Sequence, residues 1–148
     1  LQNNLLMFYT GLQRKTSTIL SEQKRNMRFK NKFESLKKMV ELVWELRDAL
    51  YERDFHKFGK ILHKNWLLKK QLSSNISNSG IEQFYSKALK NGALGGKLLG
   101  AGSGGFLLFY CDERNQNKLR KAMSPLRELR FNLDNEGSKV LYIGDEYD

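Results

Sequence analysis

Residues 92–105 read GALGGKLLGAGSGG and hold seven of the 12 glycines of this 148-residue chain. An ordered glycine costs conformational entropy, so this density indicates a backbone with positive φ or one that another group approaches closely. Successive exposed amides in such a loop form a concave set of donors suited to a phosphate, and Lys97 adds a cation. The alternative is a tight turn that binds nothing.

Three known phosphate-binding loops do not fit this segment. The Walker loop fails because Leu98 follows the lysine and an asparagine takes the first glycine position. Residues 100–105 satisfy GxGxxG, but a dinucleotide fingerprint must lead into a helix, and residues 106–111 predict a strand. A protein-kinase glycine loop needs VAIK, HRD and DFG segments, which the sequence lacks.

Downstream of the glycines the pattern favours strands. Residues 106–111 form a continuous apolar run of strand length. Residues 112–123 suit a short helix, which Pro125 prevents from continuing. Two further strands over 128–133 and 139–143 flank turn-forming residues, which predicts a hairpin.

Upstream, one strand and four helices are predicted. Residues 4–10 indicate a short buried strand, followed by helices over 13–31 and 33–51. Six apolar residues of the second helix recur at helical spacing and predict a stripe that faces a core: Phe33, Leu36, Val40, Val43, Leu46 and Leu50. Asp54 is the predicted N-cap of a third helix, on which a broad apolar arc is formed by Phe55, Phe58, Ile61, Leu62, Leu68 and Leu72.

Serines and asparagines over residues 73–79 mark a loop before the last of these helices. Ser79 followed by Glu82 predicts a capping box, and Gly92 closes the helix after Lys90. The predicted order of a strand, four helices, a strand, a helix and a hairpin indicates one α+β domain over residues 1–148. We expect an antiparallel sheet of about four strands with helices packed on one side.

Composition excludes several classes of protein. The single cysteine, Cys111, excludes a disulfide framework and a multi-cysteine zinc module, and it suits a reducing, cytoplasmic compartment. His56 and His63 lie seven residues apart without neighbouring ligands, so no metal site is expected. The sequence contains no run of about 18 apolar residues, so no membrane span is predicted.

The chain has a net charge of +10, and nine of these charges lie in residues 1–72. The densest basic run comprises Lys24, Arg25, Arg28, Lys30, Lys32, Lys37 and Lys38. Two interpretations stay open: a solvated helix face, and a surface that binds nucleic acid or another polyanion. No known nucleic-acid module is present, which disfavours nucleic acid as a partner.

Residues 92–106, GALGGKLLGAGSGGF, resemble the third conserved motif of the GHMP kinases, the superfamily of galactokinase and of homoserine, mevalonate and phosphomevalonate kinases. YTG followed by Arg14, HxxWxxKK over residues 63–70, and GSKV near the end are similar to the sugar-kinase branch that phosphorylates D-glycero-D-manno-heptose 7-phosphate. The resemblance covers essentially the whole chain, as the C-terminal half of such an enzyme.

The resemblance implies transfer of the ATP γ-phosphoryl group to a sugar phosphate by the full-length protein. It also implies a missing N-terminal domain that supplies the nucleotide loop, the Mg²⁺ ligand and the catalytic groups. We therefore expect no catalytic residue here, no ATP or Mg²⁺ bound by the isolated chain, and no turnover by it. A face that normally meets the missing domain would make a homo-oligomer possible.

The resemblance also implies site residues. A cleft loop is expected to comprise Gly95, Gly96, Lys97, Gly100, Ala101, Gly102, Ser103, Gly104 and Gly105, with Ser103 not a nucleophile. A substrate-binding set is expected to comprise Thr10, Arg14, His63, Trp66 and Lys70. Alternatives stay open, since His63 could be an edge histidine and Trp66 a core residue, while Lys69 and Lys70 suit solvent.

Overall fold

A computed structural model of the chain describes residues 1–12 and 16–140. Its strands are β1 (Leu5–Tyr9), β2 (Ala93–Leu98), β3 (Phe106–Cys111) and β4 (Arg127–Leu129). Its helices are α1 (Thr16–Asn26), α2 (Lys30–Tyr51), α3 (Phe55–Leu72), α4 (Ser79–Lys90) and α5 (Glu113–Ala122), after a short 3-10 turn over Gln2–Asn4. The first helix, predicted over residues 13–31, thus ends earlier, at Asn26. Residues 13–15 lie outside the described ranges.

The four strands form one antiparallel sheet in the order β2-β3-β1-β4. This confirms the predicted α+β class. β1 is an inner strand, and its register with β3 runs from Leu5 opposite Tyr110 to Tyr9 opposite Phe106. The end of β1 therefore meets the start of β3, and the glycine-rich loop that precedes β3 lies beside residues 10–12.

The main core lies between the sheet and the helices. Alternate residues of the two inner strands are buried, including Phe8 on β1 and Phe109 on β3. They pack with α3, α4 and α5, whose contributions are Trp66, Leu72, Ile81, Tyr85, Ala88, Leu119 and Met123. The N-cap of α3 is confirmed, because the Asp54 carboxylate accepts a hydrogen bond from the Lys57 amide at 2.9 Å.

The predicted apolar stripe of α2 meets the core at only two of its six residues, Leu36 and Leu46, which are half-buried and pack against core side chains. Val40 and Val43 are 55% and 57% exposed, and Phe33 and Leu50 are exposed as well. The buried residues of α2 are Ser35, Leu42 and Ala49, which recur every seven residues. Leu42 and Ala49 pack toward Ile61 of α3, and the Ser35 hydroxyl lies 2.8 Å from the side-chain oxygen of Gln71 on the same helix. Small side chains at two of these positions leave room for α3 close to α2, so the seam forms there and the larger apolar residues point outward.

Two predictions of local structure need correction. Asn78, not Ser79, caps α4, because the Asn78 side chain accepts a hydrogen bond from the Ile81 amide at 3.0 Å. The C-terminal hairpin does not form over residues 130–140, and residues 141–143 lie outside the described ranges. β4 pairs instead with β1, with Met7 opposite Leu129, because the free edge of β1 offers a long-range partner.

Candidate functional site

Gly95 and Gly96 are buried in the middle of β2. A Cβ on Gly95 would lie 2.0 Å from the backbone oxygen of Gly59 on α3. A Cβ on Gly96 would lie 2.3 Å from the Leu108 backbone oxygen and 2.5 Å from the Phe109 ring. These two glycines therefore permit close packing of β2 against α3 and β3. Their expected place in an open cleft loop is wrong, because their surroundings are filled.

Residues 99–105 connect β2 to β3 and have an unusual backbone. Gly100, Gly102 and Gly105 have φ values of +89°, +139° and +99°, and Ser103 adopts +59°. Only glycine takes the first three conformations without strain. A Cβ on Gly104 would lie 2.3 Å from the Leu12 backbone oxygen, so this glycine is required by close approach.

Ser103 anchors the loop to the segment between α3 and α4. Its amide donates to the Ile76 carbonyl at 2.7 Å, and its hydroxyl donates to the Asn75 carbonyl. The Asn78 side-chain amide donates to the Ser103 carbonyl at 3.4 Å. Ser103 is 1% exposed. Its side chain is thus occupied in holding the loop in place.

Thr10 anchors the other side of the loop. Its amide and its hydroxyl both donate to the Gly105 carbonyl, each at 2.9 Å. The hydroxyl also accepts from the Leu12 amide at 3.3 Å, and the Gly105 amide donates to the Leu12 carbonyl at 3.0 Å. Thr10 therefore ties the end of β1 to the loop, and its hydroxyl is engaged within the protein.

Between these anchors, backbone donors are left over. Within residues 1–12 and 16–140, no acceptor pairs with the amides of Gly100, Ala101, Gly102 and Gly104. Gly100 is exposed and the other three are half-buried. Unpaired amides of neighbouring residues in such a loop are of the kind that forms an anion-binding concavity.

Two lysines lie beside this loop. The Lys69 ammonium group donates to the Gly100 carbonyl at 2.6 Å. Burial lowers the pKa of Lys69 from its ordinary value, and the positive charge of Lys97 lowers it further. Lys97 on β2 is half-buried. Two cations therefore share the loop with the unpaired amides.

Lys69 is the site residue that sequence reasoning missed. It is one of several lysines on α3, and nothing in its local pattern separates it from its solvated neighbours. Its contact with Gly100 joins residues far apart in the chain, so only the tertiary structure brings it to the loop.

His63 belongs to a chain of two hydrogen bonds, here called the relay, that runs through Tyr85 to Gly96 on β2. Its Nδ1 lies 2.9 Å from the Tyr85 hydroxyl, which donates to the Gly96 carbonyl at 3.0 Å. The Tyr85 hydroxyl has one proton, which it donates to the Gly96 carbonyl, so it accepts a hydrogen bond from His63. Nδ1 of His63 is therefore the protonated nitrogen, and Nε2 is an acceptor in the neutral ring. Burial lowers the pKa of His63, and the charge of Lys70 lowers it further.

The other expected substrate residues are occupied or hidden. Trp66 is fully buried and packs on Tyr85 with ring centroids 5.8 Å apart, so it is a core residue and not a surface contact. The Lys70 ammonium group pairs with Glu82 at 2.7 Å and lies 5.7 Å from the centroid of the Trp66 ring. Arg14 lies outside the described residues.

The described part of the chain has neither a metal-binding cluster nor a membrane-spanning helix. No three His, Cys, Asp or Glu side chains within it gather in a way that would hold a metal ion. No helix in the same ranges has the length and apolar character needed to cross a bilayer.

Comparison with known proteins supplies relatives with named activities. The chain is 31% identical over 123 residues to D-glycero-alpha-D-manno-heptose 7-phosphate kinase of Campylobacter jejuni, an alignment that covers 83% of this chain and 36% of that protein. It is 32% identical to galactokinase of Pyrococcus furiosus over an alignment of 153 positions, which covers 84% of this chain and 42% of that protein. The crystal structure of Methanococcus jannaschii mevalonate kinase matches with a TM-score of 0.70 at 27% identity, covering 84% and 38%.

The chain thus spans well under half the length of each of these three proteins. A model of the family described as GHMP kinases C terminal matches residues 46–125, more than half of the chain. That range includes α3, the relay of His63 and Tyr85, and the whole glycine-rich segment. The chain therefore belongs to the GHMP kinase C-terminal family.

Proposed function

We propose that this chain is the C-terminal, substrate-side domain of an ATP-dependent sugar kinase, and that the acceptor is a sugar phosphate of the heptose 7-phosphate class. Two curated relatives named above are sugar kinases, which supports the reaction class. The first is named for a heptose 7-phosphate, which supports the finer assignment of the acceptor.

One observation carries the proposal. The loop over residues 99–105 offers four amides that have no partner among the described residues; the Lys69 ammonium group contacts this loop at Gly100, and Lys97 lies near Lys69. Phosphoryl transfer depends on positioning and on neutralising the negative charge that spreads over the phosphoryl oxygens. A rigid set of donors that is already in place provides such stabilisation without reorganisation during the reaction. The residues present therefore fit a phosphate group.

The division of labour is the one that the resemblance to the GHMP kinases implies. ATP supplies the transferred phosphoryl group, and Mg²⁺ with the nucleotide loop is assigned to the part of those proteins that this chain does not span. The 148 residues contribute the loop amides and two lysines toward phosphate. Thr10 and Ser103 act as positioning residues, because their hydroxyls hold the loop from its two sides.

Replacing Lys69 tests the role of the loop. In the product of the complete reading frame that contains these residues, we expect Lys69→Met to lower kcat/KM for ATP-dependent phosphorylation by roughly tenfold to a hundredfold. Lys64→Met is the matched control. Lys64 lies on the same helix and is exposed, and it pairs with Glu45 at 3.6 Å away from the loop. Equal activity of the two variants would contradict the proposal.

The acceptor is tested by competition among substrates. We expect ADP release with D-glycero-D-manno-heptose 7-phosphate to exceed release with galactose or mevalonate, measured in a coupled assay at matched concentrations. A preference for mevalonate would contradict the sugar-kinase assignment, and a preference for galactose would contradict only the sugar-phosphate part. The isolated 148-residue chain should show no turnover with any of them.

A further inference from the structure

The helix α2 has a second apolar side that nothing in the described chain covers. Its buried seam of Ser35, Leu42 and Ala49 faces α3. At 100° per residue, Phe33, Val40, Trp44 and Tyr51 fall within an arc of about 40° on the opposite side. Trp44 is 58% exposed and Tyr51 is 82% exposed. We call the exposed arc, with its neighbours Val43 and Leu50, the outer face of α2.

This arrangement is not that of an ordinary surface helix. Such a helix has one apolar stripe toward the core and charged residues opposite it, whereas a helix that is apolar on two sides is normally covered on both. A shallow depression of about 510 Å³ lies on the flank of the outer face and is lined by Val43, Leu46, Arg47, Leu50 and Tyr51. The outer face therefore has the composition and relief of a surface that is covered by a partner.

Two cations lie on aromatic rings of the outer face. The Lys37 ammonium group is 5.1 Å from the centroid of Phe33, and the Arg47 guanidinium carbon is 4.9 Å from that of Trp44. Long basic side chains that lie flat on aromatic rings let a second apolar surface approach. Aromatic residues and arginine are also enriched at the centres of protein interfaces.

The charges along α2 identify what covers it. Its first eleven residues carry four lysines against one glutamate, and its last eleven carry three acidic residues against one arginine. This polarity opposes the helix dipole, since the first turn has no acidic residue and the last turn has no basic one. Helix stability alone therefore does not explain it.

The chain itself pairs only part of these charges. Glu45 pairs with Lys64 and Glu52 with Lys57, each at 3.6 Å. Within the residues that the structure describes, Lys30 and Lys38 of the basic half form no ion pair. At 100° per residue Lys38 lies beside the buried seam, whereas Lys30 flanks the outer face. The acidic half of an identical helix would complement the basic half there.

We infer that the outer face of α2 is a homodimer interface, in which α2 packs antiparallel against α2 of a second copy about a two-fold axis. The axis would pass near residue 42, which places Phe33 against Tyr51 of the second copy and Val40 against its Trp44. The basic half of each helix then lies along the acidic half of the other. A parallel pair would instead place like charges together.

The area is sufficient for such a contact. Six exposed apolar side chains of this size would remove roughly 600 Å² of each copy from water, about 1,200 Å² in total, which is the lower end of the range for specific interfaces. The flanking cations and acids add polar contacts at the rim. Contacts at this lower end of the range are typically weak and transient, so we expect a dimer that dissociates in the micromolar range.

Oligomeric state tests the inference. We expect the 148-residue chain to show the mass of a dimer by sedimentation velocity and light scattering at about 100 μM, and to dissociate toward about 1 μM. Trp44→Glu should raise the dissociation constant at least tenfold. Leu20→Glu, on the exposed side of α1, is the matched control and should leave it unchanged. Circular dichroism checks that both variants are folded.

Orientation is tested by cross-linking. Phe33→Cys mixed with Tyr51→Cys should form a disulfide between different variants, and neither variant alone should do so efficiently. The native Cys111 does not interfere, because it is fully buried and burial raises the pKa of its thiol to about 11. A monomer at 100 μM, equal effects of Trp44→Glu and Leu20→Glu, or efficient cross-linking of Phe33→Cys with itself would each overturn the inference.

Discussion

The glycines of β2 and the glycines of the following loop lie within eleven residues of each other but meet different requirements. Gly95 and Gly96 have no positive φ, and they are needed because a backbone oxygen occupies the space of a Cβ. Gly100 has a positive φ and open space around it. One sequence motif thus contains a packing element and a candidate binding element.

The difference shows that a conspicuous motif need not be functional along its whole length. The first half brings α3 close to β2, and this contact carries Lys69 to the loop. The second half presents unpaired amides. Substitutions in the two halves should therefore affect different quantities, folding stability in β2 and ligand affinity in the loop.

The largest effect is expected for Gly95→Ala. The added methyl would lie 2.0 Å from the Gly59 oxygen, so α3 and β2 must separate. We expect the free energy of unfolding, measured by urea denaturation, to fall by about 3 kcal/mol or more. Gly80→Ala is the control, since Gly80 lies in α4 without a positive φ and the atom nearest to its Cβ, the side-chain oxygen of Asn78, is 3.4 Å away. A loss no larger than that of the control would remove the packing role of Gly95.

The second-largest loss of folding stability is expected for Tyr85→Phe. Loss of the hydroxyl leaves the Gly96 carbonyl and the His63 Nδ1–H group without their partner. An unsatisfied buried polar group costs about 1–3 kcal/mol, and urea denaturation should show a loss in that range. Tyr51→Phe removes a hydroxyl from an exposed side chain and should change stability little. Equal losses would mean that the relay does not stabilise β2.

Gly100→Ala should have a smaller effect on stability. A Cβ at this position meets no atom within 4 Å, so only the φ of +89° is strained, at a cost of about 1 kcal/mol. Inorganic phosphate titrated by NMR should show a weaker affinity in the variant, because the amides of the loop are reoriented. A stability loss as large as that of Gly95→Ala would erase the distinction between the two halves.

The smallest effect concerns pH. Since the pKa of His63 lies below its ordinary value of 6.5, the folded state binds fewer protons than the unfolded state just below that pH. Stability should therefore fall as the pH drops through that window, and His63→Gln should abolish this fall. Denaturation at several pH values measures it. An NMR titration midpoint for His63 above 6.5 would contradict the cause, which is burial reinforced by Lys70.

Local patterns predicted the elements well where one strong signal was present. The strand over residues 106–111 has the predicted bounds, because an apolar run lies between a glycine and an aspartate. The cap at Asp54 is equally local. The apolar stripe of α2 was wrong at four of its six residues because the helix has two apolar sides, and spacing alone does not tell which one meets α3.

Prediction of the site was limited by contacts between distant residues. The glycine-rich segment was identified from its composition, but which of its glycines are packed depends on distant residues: Gly59 against Gly95, Ile76 against Gly102 and Leu12 against Gly104. Lys69 reaches the loop only through the packing of α3 on β2. Trp66 shares a helix face with His63, yet the core closes over it. None of these outcomes is encoded in a short window of sequence.

The inner position of β1 has a consequence for synthesis of the chain. Its partner β3 follows roughly 100 residues later, and β4 later still, so the earliest strand stays unpaired while most of the domain is translated. Leu5–Tyr9 is an apolar segment with two open edges during that time. A nascent chain of this kind is open to aggregation, and binding of a chaperone to β1 during synthesis would protect it.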